Sequence, residues 1–366
     1  MKIPFFGLDR QYSNIREEIL NASDSVYRTG NVLDQAYTQF FENAIARKTQ
    51  RKYSVAVNSC TQALIFALRI LDHYSADRKD KVLLPTQSYP ATLNAIIEAG
   101  YDPVFCDVDP VSGLIDINTI PVSPDEVSAI LYVNLFGNVA DYNKIKTWSA
   151  FFNQLEIPII EDAAQSFGAK YYGVPSGKLG TISCLSFDPT KNLPNYGSGG
   201  MLLTDDFDYA QTCIDLRDNG KNSGYSIPGT NSKMSEADCA QMLVKLNYFD
   251  LWQARRKSIA EYYTEQLSTV VKLIPVDDNV EHAWHKFVIH TTNRSKLKEK
   301  LTQYGIETRI HYAMPLHLLD SVGHHHHRVL NGAEDFSRSC LSLPIYPELT
   351  DTEVEYIIST VIANVL

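Results

Sequence analysis

The feature that most constrains this chain is the alternation, over residues 53–162, of short apolar runs with amphipathic helical stretches. YSVAV (53–57), KVLLP (81–85), PVFCDV (103–108), AILYVNLFG (129–137) and PIIED (158–162) have the length and composition of buried strands. Between them Thr61–Leu71, Thr92–Ala99 and Tyr142–Gln154 carry helical apolar spacing, as does Gln39–Lys48 before them. A strand that is apolar on both faces must be covered on both faces, and the intervening helices supply that cover. The pattern predicts an α/β fold with a mostly parallel central sheet flanked by helices.

The character of the chain changes near residue 240. Asp238–Leu267 reads as one long charged helix, followed by KFVIHTT (286–292), a helix over Lys296–Tyr304, GIETRIHY (305–312) and a terminal helix over Asp351–Val365. A length of 366 residues accommodates about two domains. The expected division is a large α/β domain over 1–240 and a smaller C-terminal α+β domain over 241–366. With 33 basic and 43 acidic residues the net charge is −10, which repels phosphate backbones and anionic lipid and argues against nucleic-acid or membrane-surface binding. No apolar run reaches the length of a membrane span and MKIPFFGLDRQY has no signal-peptide pattern, so the expected compartment is the cytoplasm. Cysteines 60, 106, 184, 213, 239 and 340 have no metal-site spacing and read as small buried hydrophobes. The run His324–His327 lacks neighbouring carboxylates or cysteines, and no metal is assigned to it.

The chemistry concentrates between Ile160 and Gly200. Asp162 closes an apolar strand, at the end where open α/β sheets place ligands; on its own it is also an ordinary helix cap. Ser186-Phe187-Asp188-Pro189-Thr190-Lys191 follows, then Gly197-Ser198-Gly199-Gly200. A lone lysine beside a loop is usually solvated, but one of depressed pKa forms a Schiff base. A strand-end aspartate for a pyridinium nitrogen, a hydroxyl five residues before a lysine and a glycine turn are together the parts that pyridoxal phosphate needs.

These residues resemble the DegT/DnrJ/EryC1/StrS family of nucleotide-sugar aminotransferases, pyridoxal-phosphate enzymes of fold type I. The resemblance rests on EDAAQ, SFDPTKN and GSGG, and extends from IPFFGLDRQY to LSLPIYPELTDTEVEYI. It implies that Lys191 holds pyridoxal 5'-phosphate as a Schiff base and shuttles the proton, that Asp162 pairs with the pyridine nitrogen and that Gln165 bonds the ring's phenolic oxygen. Ser186 and the helix start at Cys60, Thr61 and Gln62 would bind the phosphate, where free amides and the helix dipole attract an anion. The family usually has Gly-Thr where this chain has Cys60-Thr61. Tyr89 would stack on the ring, Asn231 would cross a homodimer interface to the partner's phosphate, and His311 and Tyr312 would face the sugar. Lys233-Met234 stands where the family carries Arg-Met or Arg-Leu.

The resemblance implies transfer of an amino group from L-glutamate to a keto-deoxysugar linked to dTDP or UDP. The turn KNLPNYGSGG, HAWH and NSKM are closer to members acting on 3-keto sugars, which favours amination at C3 over C4. A sugar dehydratase of the same fold would replace the lysine or add cluster cysteines. A regulatory DNA-binding protein would need a basic face.

Overall fold

Runs that are apolar on both faces form the centre of the protein. The computed structural model describes residues 1–150, 157–322 and 328–365, so His324–His327 and the last residues of the predicted Tyr142–Gln154 helix lie outside the described residues. Seven strands make the main sheet: β1 (Tyr53–Val57), β2 (Lys81–Pro85), β3 (Asp102–Cys106), β4 (Ala129–Val133), β5 (Ile159–Asp162), β6 (Ile182–Ser186) and β7 (Gly200–Thr204). Their spatial order is β1-β7-β6-β5-β4-β2-β3. Strands β2 to β6 pair in parallel, and β7 runs antiparallel to both of its neighbours, β1 and β6.

Strand alternation sends successive residues to opposite faces. Val82 and Leu84 join Leu64, Phe66, Ile96 and Leu216 in one core, while Leu83 joins Ile130, Tyr132 and Ile145 in another. The first face is covered by α3 (Cys60–Tyr74), α4 (Pro90–Glu98) and α6 (Phe207–Arg217). Part of the other face is covered by α1 (Leu8–Tyr27), α2 (Ala36–Thr49) and α7 (Glu236–Leu267), through Ile19, Phe41 and Met242. The Glu236 carboxylate at the start of α7 accepts from the amides of Gln35, Tyr37 and Thr38, satisfying the free N–H groups that open α2.

At 1.5 Å per residue α7 is about 48 Å long, and residue 240 lies inside it. Its second half packs Ile259, Ala260 and Tyr263 against a C-terminal antiparallel sheet of Lys272–Leu273, Phe287–His290 and Cys340–Leu343. Ile3 belongs to that same core and bridges Ile306, so the N-terminal residues are stitched onto the C-terminal part of the chain. Among the described residues no helix is long and apolar enough to cross a membrane. All six cysteines are buried and free, as their apolar surroundings imply.

The structure departs from the sequence expectations in two places. The strand read over 129–137 ends at Val133, because Phe136 and Gly137 take φ of 64° and 94° and the chain turns out of the ladder. There Ala283 and Lys286 donate backbone bonds to the carbonyls of Gly137 and Phe136. The N-terminal helical region comprises two helices, and α1 escapes a periodicity reading because it buries only Gln11, Ile15, Ile19 and Val26 and is kinked at Ile15.

Gly200 shows why a glycine stands at the start of β7. It pairs with both Val57 and Ser186, and a Cβ there would lie 2.3 Å from the Ser59 carbonyl carbon and 2.4 Å from the Cys60 nitrogen. Only a residue without a side chain lets three strands meet beneath the opening of α3. Gly200→Ala should lower stability in urea by about 1–3 kcal/mol, the usual range for overpacking. An unchanged midpoint would mean that the helix start gives way freely.

Candidate active site

The carboxyl ends of β1, β2, β5 and β6, and the opposite end of β7, share one edge of the sheet. The loops beyond that edge enclose a cavity of about 420 Å³ that contains Cys60, Thr61, Tyr89, Asp162, Gln165, Ser186, Lys191, His311 and Tyr312. Nine residues spread over 250 positions of sequence therefore come together.

Each is placed by local structure. Ser59 caps α3 by accepting from the Gln62 amide at 3.1 Å, leaving the amides of Cys60 and Thr61 at the cavity wall with no intrahelical acceptor. Gln62 does not line the cavity, and its amide is taken by that cap rather than free for a ligand. Asp162 is 3 % exposed and accepts from Thr92 Oγ1 at 2.8 Å and the Ala164 amide at 3.1 Å. Burial raises its pKa from the usual carboxylate value, opposed by those bonds and by Lys191. Gln165 accepts from the Phe136 amide at 3.0 Å and donates to the Tyr312 hydroxyl at 3.0 Å. Tyr89 caps α4, leaves much of its ring exposed and lies 6.0 Å from the Tyr312 ring. His311 is anchored through Nδ1 to Ser342 Oγ at 2.8 Å, and burial lowers its pKa to about 3, so it is a neutral imidazole.

The Lys191 side-chain amine has no hydrogen bond or ion pair among the described residues, while its backbone amide donates to the Asp188 carbonyl at 2.9 Å. Desolvation lowers the amine's pKa, while Cys60, Asp162 and Asp188 pull the other way. The net shift is downward, toward the neutral amine that is the nucleophilic form. Besides Gln62, the single chain leaves Asn231 outside the cavity: it is exposed, but its neighbour Ser232 accepts from the Asn58 amide at 2.7 Å, beside the start of α3.

The residues fit pyridoxal phosphate. An unpaired amine and a buried carboxylate face one cavity, and free helix amides stand opposite Ser186 at a distance that only Gly200 allows. Sequence reasoning missed Thr92, which orients Asp162, and Lys245. The signal for Lys245 is a lysine between Met242 and Phe249 at the spacing of the buried stripe of α7. It is 0 % exposed, donates to the Pro194 carbonyl at 2.6 Å and sits 3.3 Å over the Tyr196 ring. It thereby braces from behind the turn that follows Lys191.

The DegT/DnrJ/EryC1/StrS aminotransferase family profile matches residues 13–362. A Geobacillus stearothermophilus protein named "Pleiotropic regulatory protein" is 33% identical over 371 residues, covering 99% of this chain and 98% of its own. The Streptomyces venezuelae dTDP-3-amino-3,4,6-trideoxy-alpha-D-glucose transaminase is 31% identical, covering 98% of this chain and 95% of its own. The crystal structure of NtdA from Bacillus subtilis with bound cofactor PMP has a TM-score of 0.89 at 27% identity, covering 99% of this chain and 85% of that one.

Burial brings the Lys245 pKa down from 10.5 to about 7. The unfolded chain therefore binds the extra proton between those values, and this residue adds stability as pH rises through that window. Lys245→Met should remove that part of the slope in a urea-midpoint series against pH. Parallel slopes in wild type and variant would show that the ammonium is not desolvated.

Proposed function

This chain belongs to the DegT/DnrJ/EryC1/StrS aminotransferase family, and we propose that it transfers the amino group of L-glutamate to a nucleotide-linked keto-deoxysugar, at C3, with pyridoxal phosphate as cofactor. The observation that carries the reading is Lys191, desolvated and unpaired, in the same cavity as the buried Asp162. Bound there, pyridoxal phosphate supplies an electron sink that lets an amino group pass between two carbon skeletons.

The chain's own residues supply the rest. Lys191 would hold the cofactor covalently, and its free amine would move the proton between carbon atoms. Asp162, held by Thr92 and the Ala164 amide, keeps a proton on the pyridine nitrogen. Burial pushes the Asp162 pKa up, and a cation beside it acts in the opposite direction. Gln165 orients the ring oxygen and ties it to Tyr312. The amides of Cys60 and Thr61, with Ser186, hold the phosphate. Tyr89 covers the ring, and His311 and Tyr312 receive the sugar. The exposed Asn231, beside the phosphate loop, reaches the same phosphate in a second subunit of a homodimer.

C3 amination rests on the length of the turn after Lys191 and on similarity to the Streptomyces transaminase; C4 amination of a 4-keto-6-deoxysugar is the alternative. A dehydratase or a regulatory protein would have no use for a free, desolvated amine at this position.

L-glutamate should bleach the near-visible absorption of the loaded protein, and a keto-sugar should restore it. Lys191→Arg should lose turnover by at least about a thousandfold, since a guanidinium neither forms the Schiff base nor gives up its proton. Turnover near wild type in that variant, or a band indifferent to every amino donor, would defeat the proposal. Mixing Lys191→Ala with Asn231→Ala subunits should restore activity in part. Failure to do so, with both variants dimeric, would put Asn231 in its own subunit's site.

A further inference from the structure

Among the side chains of the cavity, one is costly and unused. Lys286 is 6 % exposed, lines the cavity wall and has no ion pair and no side-chain hydrogen bond among the described residues. Its position is fixed from behind, where its amide donates to the Phe136 carbonyl at 3.1 Å, at the turn that ends β4. Its ammonium lies 4.7 Å from the Phe6 ring centroid and 5.1 Å from that of Phe5. The guanidinium of Arg309 lies 4.9 Å and 5.5 Å from the same two rings, so both cations gather on one aromatic pair.

The surrounding charges do not compensate it. Lys191, Arg256 and Arg309 all act on Lys286 with the same sign, and Asp188 is the acid that opposes them. Arg309 has Glu307 at 3.2 Å, and that carboxylate also accepts from the Phe5 amide. His285 and His311 are both held neutral by burial and bring no charge to the site. A buried ammonium with only aromatic faces for company is destabilised until an anion arrives. The phosphate-binding groups stand elsewhere, at the start of α3 and at Ser186.

We propose that Lys286, with Arg309 at the rim, is the receptor for a carboxylate entering the active-site cavity. The inference rests on the aminotransferase reading and deepens it. An amino-acid donor always carries a carboxylate, and an acidic sugar such as a uronate carries one too; both present the same chemistry to the ammonium. Phe5 and Phe6 exclude water from one side, which strengthens the attraction.

The test uses the holoenzyme and the variants Lys286→Met and Lys286→Arg. Glutarate, a dicarboxylate without an amine, should bind wild type by calorimetry and bind Lys286→Met at least about tenfold more weakly, with Lys286→Arg recovering part of the loss. If the donor supplies the carboxylate, Lys286→Met raises the half-saturating L-glutamate concentration of the first half-reaction by a similar factor. Its limiting rate stays within about threefold, and a neutral keto-sugar is unaffected. If the sugar supplies it, the donor half-reaction is unchanged and the variant loses its preference for a uronate over a neutral keto-sugar. Equal glutarate affinity in wild type and Lys286→Met overturns the proposal, as does a fall in limiting rate with saturation unchanged for donor and sugar alike. Should the protein fail to accept an amino group from glutamate, the aminotransferase reading falls, while the glutarate arm still decides on Lys286. Should Lys286→Met not fold, the glutarate comparison between wild type and Lys286→Arg decides instead, equal affinity and equal salt dependence counting against the receptor.

Discussion

Two adjacent carboxylates at the end of β5, sent to opposite faces of the sheet by strand alternation, set the terms for the rest of the structure. Glu161 is 0 % exposed and accepts from Asn134 Nδ2, Ser176 Oγ, Ser183 Oγ and the amides of Gly177 and Leu179. Every acceptor site on that side is committed to protein donors, and the loop 176–179 is thereby fastened to the sheet. Asp162, one residue on, has only Thr92 and the Ala164 amide. It keeps spare acceptor capacity and faces the cavity. The same strand thus spends one buried charge on architecture and reserves its neighbour for a ligand, and burial is tolerable for each for a different reason.

This division explains which parts of the site could be read from the sequence. Asp162, Lys191 and Gly200 break local rules: a carboxylate ends an apolar strand, a lysine sits in a tight turn and a glycine opens a strand. Such violations stand out without coordinates. The strands β1 to β5 were legible because burial on both faces leaves a continuous apolar run, and their helices because of period. The end of β4 was not, because residues 134–137 stay apolar while Phe136 and Gly137 turn the chain to meet residues 283–286 from far along the sequence. Thr92 was equally hidden. Nothing in TQSYPATL marks a threonine in the first turn of α4 as the partner of a carboxylate 70 positions away.

Three lysines stand around the cavity, Lys245 and Lys286 buried and Lys191 half-buried, and the contrast between them carries the remaining argument. Desolvation lowers the pKa of Lys191, Lys245 and Lys286 alike. Lys245 is compensated inside the fold, by the Pro194 carbonyl and the Tyr196 ring, and so braces the turn that carries Lys191. The Lys191 amine has no bonded partner, and desolvation, opposed by the acids within range, moves it toward the reactive neutral form. Lys286 is surrounded by like charge and aromatic faces, so its compensation has to come from outside the chain. One residue type and one direction of pKa shift therefore serve three purposes, and what distinguishes them is the identity of the nearest partner. A shifted pKa marks each of these lysines as unusual, but only the partner geometry separates a brace from a nucleophile and a nucleophile from a receptor.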